Sequence, residues 1–399
     1  MFDFANSSYT TIIVTVVYSV FFTKVIVGGG PHAEFMWSIG LFTSELLVVC
    51  LAPVIGAIAD YAGAKKRCLF ISYLVCVAGT ALLWFVRPGW VVLGLVGIIV
   101  SNLAYSLGDN LNSSFLPELA EPKTMGRVSG FAWAVGYLGG LVSLAACIPF
   151  VKGGITLENE ASVRVTTLVT AGLFFVGGIP AFLLLKERAV GAVPLSGLGA
   201  YVRKGVERVI STLRHVGQYP RLAEFFPVYF LYMAGLSIVI AFSAIFAEKS
   251  LGFESKDLMM LFLGLQISAF LGALAFGFLQ DRIGPRQTIL VTLLMWMGVV
   301  VTASVCQSKE LFFIVANVAG LSIGATASAS RTYVGLLVPL ERTAEMYGFM
   351  GLFSKLASGL GALSFGIGVS VLGGQRPAMM VPLVFFALGF LGLKRLKTS

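Results

Sequence analysis

Stretches of about twenty apolar residues recur about twelve times along this chain, and they constrain its fold more than any other feature. A helix needs ~20 apolar residues to cross a hydrocarbon core of roughly 30 Å, where every backbone polar group must be satisfied internally. The pattern therefore predicts an all-α membrane protein, because a transmembrane β-barrel would show short alternating strands. The twelve segments lie near 8–27, 35–59, 68–86, 90–114, 126–150, 163–185, 224–247, 257–280, 288–306, 311–338, 343–371 and 376–393.

Charged residues are too scarce for a soluble protein. They make up 12% of the 399 residues, against roughly 25% in soluble domains, so they cannot build a water-facing surface for a chain of this length. The net charge of +9 is explained by basic cytoplasmic loops, which membrane proteins prefer. We therefore expect the lipid bilayer as a partner and no nucleic acid.

The sequence offers few residues from which a catalytic or metal site could be built. The five cysteines and two histidines share no metal-ligand spacing, and the H-E-x-x-H and P-loop motifs are missing from the sequence. We interpret the cysteines as small apolar fillers. The sequence predicts no enzyme, no metal site and no cofactor.

One long connection, 186–223, divides the chain into an N-terminal six-helix bundle (1–185) and a C-terminal six-helix bundle (224–399). The connection is rich in Lys and Arg, and its apolar residues alternate at steps of four and three, which is typical of an amphipathic helix lying along a membrane surface. These apolar residues are Val202, Val206, Val209, Leu213 and Val216.

The distribution of basic residues predicts the orientation in the membrane. With both termini on one side, 19 of the 28 Lys and Arg residues fall in that side's loops and tails, eight fall on the other side, and Lys355 lies inside a helix. Because basic residues concentrate on the cytoplasmic side, we expect both termini and the long connection to be cytoplasmic.

The two halves of the sequence repeat each other. A G-x-x-x-D-x-x-G-x-[KR] loop after the second segment recurs after the eighth, with 221 residues from Asp60 to Asp281, and Gly130 opens the fifth segment 218 residues before Gly348 opens the eleventh. Internal repeats of this kind are how many secondary transporters are built. The repeated loops contain Gly56, Asp60, Gly63, Lys65 and Lys66 in the first copy and Gly277, Asp281, Gly284 and Arg286 in the second.

These loops resemble the signature loop of the major facilitator superfamily. In physical terms, the glycines let helices approach closely, and the carboxylate can accept hydrogen bonds from the N-terminus of a neighbouring helix. We expect the two loops to act as a conformational motif.

A narrower resemblance, to the vacuole-effluxer-like branch of that superfamily, spans the chain. It rests on D-F-A-N-S-S-Y at 3–9, G-R-V-S-G at 126–130 and the Arg-, Glu- and Gly-containing stretch at 330–355. The resemblance implies two pseudo-symmetric six-helix bundles and secondary transport, and the branch is named for a fungal vacuolar exporter of amino acids. The absence of long loop insertions favours a multi-pass protein of a bacterial inner (cell) membrane over a vacuolar one.

Four intramembrane charges are functional candidates, because a charge at a helix centre is costly. Glu45 and Lys355 lie near the membrane midplane, and the superfamily fold would pack their helices together. We expect an ion pair that either ties the two halves together or binds substrate or a proton. Asp109 and Arg331 occupy equivalent positions, each eight residues before a proline, and form either a gate or substrate contact or a static clamp.

Neutral polar residues inside the segments are the remaining candidates, although each alone is more often a helix–helix hydrogen bond. The repeat pairs Tyr137 with Gln266 as the counterpart of Glu45 with Lys355. We expect Asn6, Tyr9, Thr11, Thr15 and Tyr18 to share one side of the first segment, and Asn102 and Asn317 to lie inside the fourth and tenth.

The function predicted from the sequence is secondary active transport by alternating access. The cargo is a small polar or amphipathic solute, with amino acid efflux as the best assignment, coupled to a proton or a sodium ion because no ATP site exists in the sequence. The alternative is a transporter-fold sensor or scaffold that binds a ligand without moving it. We expect a monomer.

Overall fold

The computed structural model describes residues 1–187, 197–214 and 219–396, and within these ranges it contains helices and no strand. Twelve of the described helices are long and apolar enough to cross a membrane, which confirms the predicted number. A thirteenth long helix, α7, lies in the long connection, and two four-residue helices occur at Leu116–Leu119 and Gln375–Ala378. The long helices are α1 Phe2–Ile26, α2 Pro31–Ala62, α3 Lys65–Leu82, α4 Val91–Ser113, α5 Met125–Val151, α6 Glu160–Leu184, α7 Leu198–Arg214, α8 Pro220–Leu251, α9 Ser255–Ile283, α10 Pro285–Val305, α11 Lys309–Leu337, α12 Thr343–Leu372 and α13 Val381–Arg395.

Helix α1 differs from its prediction in two ways. It begins six residues before the predicted boundary, at Phe2, and it contains π-helical stretches at Thr10–Val16 and Phe22–Ile26. Of the polar residues expected to share one side, Asn6, Tyr9 and Tyr18 are buried and Thr15 is exposed, and the shared side itself stays a prediction. A π-helix is held by i→i+5 hydrogen bonds, so the spacing of side chains around α1 differs from that of an ideal α-helix.

Two compact units are present. Unit 1 comprises Met1–Phe115, Val135–Val209 and Leu340–Gly348, and unit 2 comprises Leu116–Ala134, Ile210–Pro339 and Phe349–Ser399. The first turns of α5 therefore pack with unit 2, and the first turns of α12 pack with unit 1.

Aromatic side chains fill the core of unit 1. Phe2 and Tyr9 of α1 pack against Phe174 of α6, with ring centroids 6.1 and 6.4 Å apart, and Tyr73 of α3 packs on Phe174 at 5.9 Å. In this way α1 is held against the helices that surround it, and its polar residues are fixed in position.

Small residues let helices α9 and α11 of unit 2 cross closely. A Cβ at Gly272 would lie 2.2 Å from the Leu321 carbonyl oxygen, and a Cβ at Gly324 would lie 2.3 Å from the Ala269 carbonyl oxygen. Larger residues at either glycine would force the two backbones apart. Close approach at small residues is the usual way in which membrane helices associate.

The predicted amphipathic helix exists within the long connection as α7, which is shorter than the connection itself. Its Val202 and Val206 are exposed, at 43% and 39%. The fifth predicted apolar residue, Val216, lies outside the described residues.

Candidate functional site

Helices α2 and α12 cross at two glycines in unit 1, and we call this contact the first crossing. A Cβ at Gly56 would lie 2.2 Å from the Ala344 carbonyl oxygen, and a Cβ at Gly348 would lie 2.6 Å from the Ala52 carbonyl oxygen. Only glycine therefore fits at these two positions without displacing a backbone. The first turn of α12 lies directly against α2 as a result.

Asp60 lies one turn after Gly56 on the same face of α2, and its carboxylate reaches the N-terminus of α12. Its two oxygens accept hydrogen bonds from the backbone N–H groups of Ala344, at 3.1 Å, and Glu345, at 2.8 Å. The first four N–H groups of a helix have no partner within the helix, and the positive end of the helix dipole favours a carboxylate there. The hydrogen bonds expected from the sequence are thus present.

Lys65 and Lys66 begin the next helix, α3, and complete the first crossing. The ammonium group of Lys65 is fully buried, donates to the Thr343 hydroxyl at 2.9 Å and lies 5.5 Å from the centre of the Phe115 ring. The carboxylate of Glu187 accepts hydrogen bonds from the backbone N–H groups of both lysines, at 2.6 and 3.2 Å. Glu187 therefore caps α3 as Asp60 caps α12.

Helices α5 and α9 form the corresponding contact in unit 2, the second crossing. A Cβ at Gly130 would lie 2.4 Å from the Ala273 carbonyl oxygen and 2.7 Å from the Gly277 Cα. The Asp281 carboxylate accepts a hydrogen bond from the backbone N–H of Arg127 at 3.3 Å and lies 3.6 Å from the Arg127 guanidinium. This crossing again joins a repeated-loop aspartate to the N-terminus of a helix.

The two crossings are equivalent under the sequence repeat. The 221-residue offset relates Asp60 to Asp281, and the 218-residue offset relates Arg127 to Glu345. The environments differ, because Asp60 is 5% exposed and bonded by both oxygens, whereas the side chains of Asp281 and Arg127 are 14% and 48% exposed. The first crossing is therefore the stronger contact.

The last glycine of each repeated loop has a different task from the first. Gly63 and Gly284 have φ values of +56° and +86°, which residues with a side chain adopt only with strain. They end α2 and α9 and let the chain turn. The sequence prediction that all these glycines serve close helix approach is thus correct for Gly56 and Gly277 and wrong for Gly63 and Gly284.

Arg286 shows how the two loops diverge. It is the repeat equivalent of Lys65, but its guanidinium donates to the carbonyl oxygens of Leu393, at 3.1 Å, and Lys394, at 2.9 Å. These carbonyls belong to the C-terminal turn of α13, where a positive charge is favoured. Arg286 thus fastens α10 to α13 within unit 2.

A polar cluster within unit 1 joins α1 to α4 and α4 to α2. The Asn6 amide donates to the Asp109 carboxylate at 2.9 Å, and the Tyr9 and Ser101 hydroxyls are 2.8 Å apart. The Asn102 amide donates to Ser44 at 2.6 Å and to the Glu45 carboxylate at 3.3 Å. Two predicted intramembrane carboxylates, Glu45 and Asp109, are thus each hydrogen-bonded by a predicted asparagine.

Unit 2 holds the predicted intramembrane cations. The Arg331 guanidinium is 5% exposed, donates to the Ser129 hydroxyl at 3.2 Å and carbonyl at 3.1 Å, and lies 5.5 Å from the centre of the Trp133 ring. Lys355 is half-buried on α12. The predicted Asn317 accepts a hydrogen bond from Ser268 at 2.6 Å, and Gln266 is half-buried on α9.

Several predictions on pairs remain predictions. Glu45 and Tyr137 belong to unit 1, while Lys355 and Gln266 belong to unit 2. The pairings of Glu45 with Lys355 and of Tyr137 with Gln266 await experiment, as does the approach of Asp109 to Arg331. The transport roles of all the predicted site residues are likewise predictions.

Some residues at the crossings were not predicted from the sequence. Gln280 donates to the Gly126 carbonyl oxygen at 2.7 Å and to the Ser328 hydroxyl at 2.9 Å, and it is 2% exposed. Arg208 of α7 forms a 3.4 Å ion pair with the fully buried carboxylate of Glu345. Gln280 could have been predicted, because it directly precedes Asp281 of the repeated loop. Nothing in the sequence marks Arg208 among the other basic residues of the connection.

The described residues contain no group of three or more His, Cys, Asp or Glu side chains that could hold a metal ion. The described residues instead form helix crossings and buried polar pairs.

Comparisons with known proteins agree with this arrangement. A Bacillus subtilis protein described as an uncharacterized MFS-type transporter, YxiO, is 26% identical over 98% of this chain and 91% of its own length. Autophagy-related protein 22-1 of Aspergillus niger is 24% identical over 71% of this chain, and the match spans about half (49%) of the fungal protein. A structure of the E. coli fucose:proton symporter FucP superposes with a TM-score of 0.76 at 12% identity, covering 100% of this chain and 96% of that one.

These relatives and structural neighbours are transporters and not enzymes. The Vacuole effluxer Atg22 like family matches residues 35–399, which is most of the chain. The fold and the family expected from the sequence are therefore confirmed, and this chain belongs to the vacuole effluxer Atg22-like family of major facilitator transporters.

Proposed function

We propose that this protein is a secondary active transporter that exports a small zwitterionic solute, with an amino acid as the best assignment. The proposed mechanism is alternating access between the two six-helix halves, 1–185 and 224–399, joined by the connection 186–223. Membership of a transporter family supports transport itself. The substrate class rests on the charges inside the helices.

The observation that carries the substrate class is the sign of the intramembrane charges in each unit. Unit 1 has carboxylates at Glu45 and Asp109, and unit 2 has cations at Arg331 and Lys355. A carboxylate in a low-dielectric site favours an ammonium group, and a guanidinium favours a carboxylate group with directional hydrogen bonds. A free amino acid carries both groups.

Hydrogen bonds orient the carboxylates of unit 1, as binding of an ammonium group would require. The Asn6 and Asn102 amides each donate to one carboxylate oxygen, which holds that side chain in one orientation. A site whose groups are already oriented loses less free energy on binding than one that must be ordered. The buried Tyr9–Ser101 pair lies on the same helices, α1 and α4, and adds neutral hydrogen-bonding capacity.

We further propose that the two crossings act as conformational contacts. Each crossing joins a sequence segment of one half to the N-terminus of a helix from the other half, through Asp60 or Asp281. Forming and breaking these hydrogen bonds would alternate as the halves move. The Asp109 and Arg331 positions would approach each other in one access state, so cysteines there should crosslink in that state alone. Crosslinking in every state would indicate a static clamp.

The coupling ion and the setting complete the proposal. An ion gradient, of protons or of sodium, must drive uphill movement, and the structurally similar FucP is a fucose:proton symporter. We propose a monomer in the inner membrane of a bacterium. Both termini are cytoplasmic in this proposal because of the 19-to-8 distribution of basic residues.

A ligand screen followed by uptake tests this function. Purified protein is screened by thermal shift against amino acids and other small metabolites, and hits are measured for counterflow in liposomes, with and without a pH or sodium gradient. We expect zwitterionic amino acids to stabilise the protein and to exchange across the membrane. Glu45→Gln should abolish the exchange, whereas Glu34→Gln, an exposed position on the same helix, should leave it unchanged.

The outcomes separate the alternatives. Stabilisation without exchange, in protein of verified orientation, would contradict transport and favour the ligand-binding sensor. Exchange of uncharged solutes alone would contradict the zwitterionic substrate class while keeping the transport function.

A further inference from the structure

Helix α7 docks on unit 1 through one of its faces. A Cβ at its buried Gly205 would lie 2.6 Å from the Ile58 Cγ1 atom and 3.0 Å from the Val54 carbonyl oxygen. The Tyr201 ring packs edge-on against the Tyr61 ring at 6.4 Å. Tyr201 and Gly205 are four residues apart and thus lie on one side of the helix.

The partners of this face fix the position of α7 along the spanning helix α2. Val54 and Ile58 lie eight and four residues before the end of the spanning helix α2 at Ala62. With a rise of 1.5 Å per residue, α7 rests roughly 6–12 Å from that end. Amphipathic helices that bind the bilayer interface bury their apolar face to ≈ 5–10 Å, and the distance of α7 from the end of α2 falls largely within that range.

A second face of α7 is apolar and exposed. Val202, Val206 and Ile210 recur every four residues, with 43%, 39% and 42% of their surface exposed. They lie roughly 100° around the helix from the docking face. A bilayer that covers the end of α2 to this depth would bury these side chains, and that burial is favourable.

The remaining surface of α7 is basic. The described helix has four basic residues, Arg203, Lys204, Arg208 and Arg214, against the single acidic residue Glu207. Glu207 lies 3.0 Å from Arg203 and 3.6 Å from Lys204, and the Arg203 side chain is 84% exposed. One carboxylate shared by two cations leaves net positive charge facing outwards.

From this combination we propose that α7 is a binding surface for anionic phospholipids, with the apolar stripe (Val202, Val206 and Ile210) in the acyl region and the side chains of Arg203, Lys204 and Arg214 on the headgroups. Each Lys or Arg near an anionic membrane surface contributes about 1 kcal/mol of binding, which is about fivefold. The proposal is independent of what the protein transports.

Helix α7 also connects the proposed lipid-binding surface to the first crossing. Arg208 donates to the Glu341 carbonyl oxygen at 3.2 Å and pairs with Glu345, whose backbone N–H is bound by Asp60. Lipid that holds α7 in place therefore also holds Arg208 against the N-terminus of α12.

Site-specific quenching tests the proposal in the full-length protein. A cysteine-free background with the single change Val206→Cys is labelled with a fluorophore and reconstituted in nanodiscs. The discs contain phosphatidylglycerol or phosphatidylcholine with a nitroxide high on the acyl chain. We expect quenching by both lipids, with phosphatidylglycerol favoured. Ser211→Cys, about 140° around the helix from position 206, is the matched control and should be quenched far less.

A second variant tests the charge requirement. The changes Arg203→Gln, Lys204→Gln and Arg214→Gln, introduced together, should lower the preference for phosphatidylglycerol at position 206 at least tenfold while leaving quenching by phosphatidylcholine. Equal quenching by both lipids before these changes would overturn the recognition of anionic headgroups. Absence of quenching at position 206 by either lipid would overturn the lipid contact altogether.

Discussion

Asp60→Asn should release the first turn of α12. The aspartate accepts two hydrogen bonds from backbone N–H groups, at 2.8 and 3.1 Å, and is 5% exposed. Hydrogen bonds to a charged group contribute about 1.5–3 kcal/mol each, and neutral ones about 0.5–1.5 kcal/mol. The asparagine oxygen keeps one neutral bond, and its amide group cannot accept the other. We estimate a loss of about 2–4 kcal/mol of local stability.

Hydrogen–deuterium exchange of the protein in nanodiscs measures this loss directly. A change of 1.4 kcal/mol alters an equilibrium constant tenfold, so exchange in a peptide covering 340–350 should accelerate about 30- to 700-fold. The acceleration should be concentrated at Ala344 and Glu345, whose N–H groups lose their acceptor.

Asp281→Asn is the matched control within the same molecule. The backbone hydrogen bond that it accepts is 3.3 Å long, and its ion-pair partner Arg127 is half exposed, so the loss should be about 1 kcal/mol or less. Exchange near Arg127 should then accelerate no more than about fivefold. Unchanged exchange at 340–350 in the Asp60 variant, or equal effects in the two variants, would refute the assignment of the first crossing as the stronger contact. We also expect both variants to reduce transport at matched protein levels.

Three further predictions concern packing, charge and topology. Gly348→Ala should lower the melting temperature of the purified protein, because its Cβ would lie 2.6 Å from a backbone oxygen and overpacking costs about 1–3 kcal/mol. Gly359→Ala on the same helix should be neutral, because a Cβ there would have nothing within 4 Å. Equal effects of the two changes would contradict the close crossing. Glu45→Gln and Lys355→Met should each lower stability by about 3–5 kcal/mol in thermal denaturation and recover much of it when combined, and a double-mutant cycle without coupling would show that the two side chains do not meet. Reporter fusions after the last residue and within 190–200 should both indicate the cytoplasm, and a periplasmic signal from either would reverse the orientation.

Much of the candidate site could be predicted from the sequence because its cause is local. The spacing of four between Gly56 and Asp60 places both on one face of a helix, and the repeat shows that the second copy does the same. A carboxylate is stabilised by the N-terminus of a neighbouring helix. The hydrogen-bonded state of Asp60 was therefore predictable without a structure.

The partners of these residues were not predictable in the same way. Asp60 binds backbone groups 284 and 285 residues away, and Arg208 was one of several basic residues in the connection until its contact with Glu345 was seen. The π-helical stretch of α1 was not predictable either, because no residue type marks such a stretch.

The number of spanning helices, the repeat and the family follow from the order of residues, since hydrophobic length, spacing and motif are properties of consecutive residues. The fold was needed to show that the first turns of α5 and α12 pack with units formed mainly by the other half of the sequence. The same is true of the unequal burial of the two repeated aspartates. The physical reason is that membrane helices associate through close packing and hydrogen bonds between distant residues, and the energies of those contacts depend on depth and burial, which a linear pattern does not contain.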